Sequence, residues 1–291
     1  MSDMYKDKFG YLPYGFEINF SGGKIIPLPH FDIAVQFMRR KTHSNQYVYP
    51  PRKTKSTPRA ASLHQLPSTH TLELDGRFPN QEQFRYGHGG FVIHLLGFLY
   101  GHRCQFYNWW VDGRVLIPDE IDHRPSSPEQ AGEIISHALQ TWRDFQTRQR
   151  FVAINALFLH TRTQMYEFEW ERFSNNYQIF DAVYALARDT GVLSRSRSTS
   201  HADRIARICD QFEIPMDSER VERLVKLRND LLYEAIWDER MPGEARSEFS
   251  FQASQWLHRL TKRAMLAVLG LKGPYIKTQW WTASKFRFDI Y

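Results

Sequence analysis

The chain has 291 residues, 42% of them hydrophobic and 24% charged, with a formal net charge of +6. That is long enough for one large or two modest domains with a sizeable core, and the charge suits an RNA or DNA partner without requiring one. Two cysteines, Cys104 and Cys209, exclude a disulfide framework. The longest apolar stretch, Phe91 to Tyr100, is far shorter than the ~20 residues a membrane span needs. No apolar run follows the charged N-terminus, so no signal peptide is read. A cytoplasmic protein is expected, with no membrane association.

In chain order, the Gly-, Pro- and aromatic-rich stretch from Tyr11 to Leu28, with Ser21-Gly22-Gly23 as its turn, reads as a β-hairpin. Phe31 to Met38 fits either a strand or a helical turn. Residues 39–59 then turn basic. Arg39, Arg40, Lys41, Arg52, Lys53, Lys55 and Arg59 occur with no acidic residue between them, and Tyr47 and Tyr49 lie among them. A solvated surface loop is the plainer account. The functional one is an arm whose cations contact phosphates while its tyrosines stack on bases.

Thr69 to Gly76 alternates and ends in Asp75-Gly76, the pattern of a strand and its turn. Gly87 to Gly90 opens an apolar helix that Gly101 stops. Gln105 to Val115 reads as a strand, a tight turn at Asp112-Gly113 and a return. This region holds His88, His94, His102, Cys104 and His123, but their spacings match no compact zinc pattern. No metal site and no cofactor is expected.

Ser127-Pro128-Glu129 carries a cap, a proline at the first helical position and an acidic first turn, so a helix starts there. From this point the periodicity is helical. One long helix is predicted from Ala131 to about His160, a second from Gln164 to Asp189, and others over 201–212, 218–237 and 247–269, with an aromatic, basic tail packed back on them. The fold class expected is therefore α+β: a β-rich region over 1–125, then an up-and-down helical bundle over 126–291.

The helix from Ser218, read as its cap, is expected to bury Val221, Leu224, Val225, Leu227, Leu231, Leu232, Ala235 and Ile236 on one side. It contains Arg228-Asn229-Asp230-Leu231-Leu232-Tyr233. This string resembles the signature helix of HEPN domains, in which an arginine and a polar residue precede a histidine. Trp110-Val111-Asp112-Gly113-Arg114 is similar to stretches found ahead of bacterial HEPN bundles. The resemblance implies the same up-and-down bundle and a metal-independent endoribonuclease site of bacterial defence or toxin–antitoxin type, formed by two protomers. RNA is then the partner, a homodimer the working form, and a protein partner or trigger a further expectation.

Carried across, the site residues are Arg228, Asn229, Asp230 and Tyr233, with Arg228 holding the scissile phosphate and Asn229 and Asp230 orienting it. Tyr233 stands where the family has its histidine, and phenols titrate near 10 where imidazoles titrate near 6.5. A non-catalytic HEPN-like binding module is the alternative this departure opens. His137, His160, His201 and His258 are the bundle's other imidazoles; His160, beside Arg162 at a helix end, is favoured as a substitute.

Overall fold

The structure is a computed structural model that describes residues 4–50, 63–118, 124–194, 200–241 and 248–282. The fold is α+β, and the chain divides into two compact units, 1–139 and 140–291.

The first unit is built on a five-stranded antiparallel sheet. Its strands are β1 (Met4–Gly10), β2 (Ile18–Phe20), β3 (Gly23–Pro27), β6 (His70–Asp75) and β7 (Gln105–Phe106), in the order β2-β3-β6-β1-β7. The expected hairpin is present, β2 turning into β3 at Ser21-Gly22. Phe31–Lys41 is a helix, α1, burying Ala34, Val35 and Met38. Two short ladders complete the β structure. β4 (Tyr47–Val48) pairs with β9 (Val115–Leu116), and β5 (Leu63–His64) pairs with β8 (Val111–Asp112). The hairpin expected at Asp112-Gly113 does not form, because β8 and β9 leave that turn for different partners. Two-residue strands have too little ladder of their own to hold each other.

α2 (Gln81–Tyr86) and α3 (His88–Tyr100) complete this core. α3 is buried from Gly89 to Tyr100, as its unbroken apolar sequence requires. Arg85 of α2 ties to β1 by a bidentate, buried pair with Asp7, Nε to Oδ2 at 2.6 Å and Nη2 to Oδ1 at 3.1 Å. α4 (Pro128–Arg143) begins as predicted, with the Gln130 N–H donating to Ser127 Oγ at 3.2 Å. The units divide inside this helix, after Leu139, rather than at 125. Its first turns belong with the sheet: the Ser21 N–H donates to Ser136 Oγ at 2.9 Å. Gly132 lies so close to the Asn19 carbonyl that a Cβ would sit 2.0 Å from it.

A buried relay fixes His70 as a neutral imidazole. The Leu12 N–H donates to Thr69 Oγ1 at 3.1 Å, and Thr69 Oγ1 lies 2.9 Å from His70 Nδ1. His70 Nε2 lies 3.0 Å from the Tyr14 carbonyl, which can only accept. Burial lowers the pKa of His70 to about 4, that of His94 to about 4 and that of His102 to about 3. Folded-state values below the unfolded one mean stability that is full above pH 6.5 and is lost as pH falls toward 4. Each histidine is expected to remove roughly 1.4 kcal/mol per pH unit in that window. Urea midpoints at pH 7, 6 and 5 test this above the range where carboxylates titrate; a flat series would refute it.

The second unit contains α5 (Thr147–Thr163), α6 (Glu169–Asp189), α7 (His201–Phe212), α8 (Ser218–Asn229) and α9 (Glu248–Val268). α6 packs against α5 and α9, and α7 against α8 and α9. The single helix predicted from 131 to 160 is two. Gln146 starts a new helix, its N–H donating to Gln149 Oε1 at 2.7 Å, after Phe145 N–H has closed back on the Trp142 carbonyl at 3.1 Å. α8 is capped by Asp217, not Ser218; Asp217 Oδ1 accepts from the Arg220 N–H at 3.0 Å. Its α geometry ends at Asn229, and Asp230–Glu234 forms a π-helical turn. The described part of the tail packs back as expected, with buried Trp280 donating to the Pro215 carbonyl at 2.8 Å. No helix among the described residues is long and apolar enough to cross a membrane.

Candidate functional site

Three helices of the second unit converge on one polar cluster. α6 presents Tyr177, Asp181 and Tyr184, spaced four and three apart and therefore on one stripe. α7 starts at His201 because Ser200 caps it: Ser200 Oγ accepts from the Asp203 N–H at 3.0 Å, and Asp203 returns the bond to Ser200. Arg204, one turn on, donates to Asp181 Oδ1 at 2.9 Å. α8 contributes Arg228.

Arg228 is half-buried and has no carboxylate partner among the described residues. Its Nη1 donates to Asn229 Oδ1 at 2.9 Å and to the Tyr233 hydroxyl at 3.2 Å. The second bond depends on the π turn. Residues five apart are well offset in an α-helix, and the wider i→i+5 turn at Asp230–Glu234 reduces that offset for Tyr233. Tyr233 itself is 74% exposed. As an acceptor from Arg228 its hydroxyl keeps its own proton to donate.

The ring of Tyr177 joins Arg228 to His201. The guanidinium carbon lies 5.7 Å from the ring centroid, and the imidazole meets the same ring edge-on at 5.5 Å. His201 Nδ1 lies 3.7 Å from Asp181 Oδ1, a charge contact too long for a hydrogen bond. Burial lowers the pKa of His201, Asp181 opposes that, and Arg228 and Arg204 add to it, so the imidazole is neutral at pH 7. Burial also raises the pKa of the Tyr177 phenol. Arg228 Nε, His201 Nδ1 and the Tyr177 hydroxyl are all buried without a hydrogen-bond partner among the described residues. Three such atoms around one ring are unusual, since buried polar groups are nearly always satisfied.

The other predicted residues fall elsewhere. Asp230 pairs with Lys226, 2.5 Å from Nζ to Oδ2, and lines a cleft with Arg223, Glu239 and Arg240; it does not orient Arg228. His160 is also not the substitute imidazole. It is buried and stacked on His258 at 4.0 Å, and burial, with Lys262 adding, lowers its pKa to about 3. The histidine near Arg228 is His201, which sits 27 positions earlier and stood in the sequence as one of four bundle imidazoles that no spacing singled out.

Arg39, Arg40 and Lys41 form the exposed last turn of α1 in the first unit. Arg52, Lys53 and Lys55 lie outside the described residues, as does His123. Among the described residues no three His, Cys, Asp or Glu side chains gather as a metal site. His94 stacks on Trp109 at 6.3 Å, His102 is enclosed by aromatic rings, and the Cys104 thiol points at the Tyr11 carbonyl at 3.8 Å. No protein-family model matches the chain, and neither a curated protein nor a solved structure matches it.

Proposed function

We propose that the second unit is a HEPN-like, RNA-directed module that cleaves RNA without a metal. Arg228 holds the scissile phosphate, and His201 replaces the histidine that the family carries at the position of Tyr233. The supporting observation is the set of three buried, unpartnered polar atoms on Arg228, His201 and Tyr177. A phosphate and its bound water would satisfy Arg228 Nε and the Tyr177 hydroxyl, while His201 Nδ1 keeps its proton toward Asp181.

Nδ1 of His201 faces Asp181, so Nε2 is the nitrogen offered to substrate. Nε2 takes the proton of the 2′-hydroxyl, and the 2′-oxygen attacks phosphorus. The bond from phosphorus to the 5′-oxygen breaks, and that oxygen leaves with a proton from water. The products are a 2′,3′-cyclic phosphate and a 5′-hydroxyl, and the imidazolium returns its proton to solvent. Arg228 neutralises the charge that builds on the phosphoryl oxygens, and Tyr233 donates to one of them.

The test is cleavage of a mixed RNA pool in EDTA by the full chain, wild type beside His201→Gln. Activity is expected to survive the chelator and to fall by about 10²- to 10⁴-fold in the variant. The wild-type rate rises with pH as His201 deprotonates and levels off, with its midpoint below 6.5. Arg204→Gln removes a cation that lowers that pKa, so it moves the midpoint upward. Activity lost in EDTA, or a profile indifferent to both substitutions, refutes the proposal.

A second reading, a HEPN-like binding module without catalysis, draws on the exposure of Leu232 at 52% and Tyr233 at 74%. These side chains offer a surface to a second copy of the chain or to a protein partner. RNA retained on a filter but never cleaved, indifferent to Arg228→Ala, would decide for it.

A further inference from the structure

The first unit carries a strip of rings and cations that the chemistry above does not use. α1 ends in Arg39, Arg40 and Lys41, all exposed and without a carboxylate partner among the described residues. The chain then folds back. The His43 N–H donates to the Tyr47 carbonyl at 3.0 Å and the Gln46 N–H to the His43 carbonyl at 2.8 Å, with Gln46 in the left-handed region at φ 64°. This brings β4 alongside the end of the basic helix.

β4 and its partner β9 then set out a row of side chains. Pairing of Tyr47 with Leu116 and Val48 with Val115 brings Arg114 over the Tyr47 ring, 4.5 Å from its centroid. Tyr47 and Tyr49 are 6.3 Å apart, and His43 meets Tyr49 edge-on at 5.1 Å. Asn45 Nδ2 donates to the Tyr49 hydroxyl at 2.8 Å and holds that ring, which is 41% exposed.

We infer that this strip binds a single strand of nucleic acid. The cations of α1 contact successive phosphates, and a base stacks on Tyr49. An exposed ring held in place beside cations that have no carboxylate partner among the described residues is the combination that takes both parts of a nucleotide strand. An anionic lipid headgroup would use the cations but has no flat face to lay on the ring, and a base-paired duplex keeps its faces covered. The choice of RNA as the strand rests on the proposed function; the surface itself lies within the first unit.

The experiment is fluorescence anisotropy of the full chain with fluorescein-labelled U12, a 12-base-pair duplex and phosphatidylserine vesicles. Arg228→Ala serves as the parent, so that the probe is not consumed. U12 is expected to bind more tightly than the duplex. Tyr49→Ala weakens U12 by about tenfold or more and Tyr49→Phe largely restores it, both with the parent's thermal melt. Replacing Arg39, Arg40 and Lys41 with serine lowers the slope of log affinity against log salt by about 2. Tyr49→Ala binding equal to the parent's overturns the inference. So does equal affinity for the duplex, or vesicle binding that needs the same residues without any for U12. A wild type that binds U12 yet never cleaves RNA refutes the second unit's chemistry and leaves this surface standing. Cleavage with binding indifferent to Tyr49 does the reverse.

Discussion

Arg228→Ala is expected to lower EDTA-resistant RNA cleavage by about 10²- to 10³-fold, the loss typical when one preorganised donor to a developing oxyanion is removed. The guanidinium is suited to that loss because no carboxylate among the described residues neutralises it. It donates to an amide and a phenol, neither of them charged, and keeps a buried Nε with no partner. Its removal should cost little in folding, since its hydrogen bonds are local to α8 and the π turn and its contact with another helix is the Tyr177 ring at 5.7 Å. Arg228→Lys keeps a point charge but not the planar fork, so it recovers only part of the rate. Tyr233→Phe removes one donor and leaves the ring under Arg228, and a drop of about tenfold is expected. Single-turnover rates, read beside far-UV circular dichroism of each variant, separate lost chemistry from lost fold. A rate for Arg228→Ala equal to wild type would remove this residue from the mechanism.

The largest stability effect is expected at Arg263, on α9. This guanidinium is fully buried, yet every partner identified for it is neutral. Nε donates to the Thr278 carbonyl at 3.1 Å, Nη1 to the Arg259 carbonyl at 3.0 Å and Nη2 to Thr278 Oγ1 at 2.8 Å, while the ring of Tyr275 lies 4.6 Å from its carbon. These contacts clamp the C-terminal segment to α9. Arg263→Ala would remove the donors to the part-buried Thr278 carbonyl, Thr278 Oγ1 and Gln279 carbonyl and open a cavity, while the Arg259 carbonyl keeps the helical N–H of residue 263. Against that stands the relief of an uncompensated buried charge. Orphaned groups cost about 1–3 kcal/mol each and the cavity adds to them, so a net loss of about 3–5 kcal/mol is expected. At ordinary m-values this is a fall of roughly 1–3 M in the urea midpoint. Arg263→Met separates the contributions: it fills much of the volume, so any remaining loss belongs to the hydrogen bonds. An unchanged midpoint for both variants would mean that desolvation of the charge cancels its bonds.

Features carried by neighbouring residues were readable from the chain alone. Ser127-Pro128 and Gly101 after Tyr100 set helix ends through bonds to residues only a few positions away. The alternation over 70–75 marked β6, and the periodicity over 201–212 marked α7. The string from Arg228 to Tyr233 identified the candidate site for the same reason, since all its members lie within two turns of one helix. Local propensity misled where a longer-range contact outweighed it. Asp112-Gly113 is a hairpin sequence, but its flanking strands found partners 47–49 and 67–69 residues away. The region over 131–160 has helical periodicity throughout, and only the new cap at Gln146 divides it.

The sequence by itself determined an α+β chain with a strand-rich start and a helical second half, because caps, turns and periodicity are short-range terms, whereas Arg228 was singled out by the resemblance of its helix to the HEPN signature. Only the tertiary structure decided what stands beside Arg228. The choice of His201 over His160 depends on how α6, α7 and α8 pack, and the contact with Tyr233 depends on a π turn that no residue in the string announces. Both come from side chains that meet once a core has closed, and the free energy of that closure is shared among residues far apart in sequence.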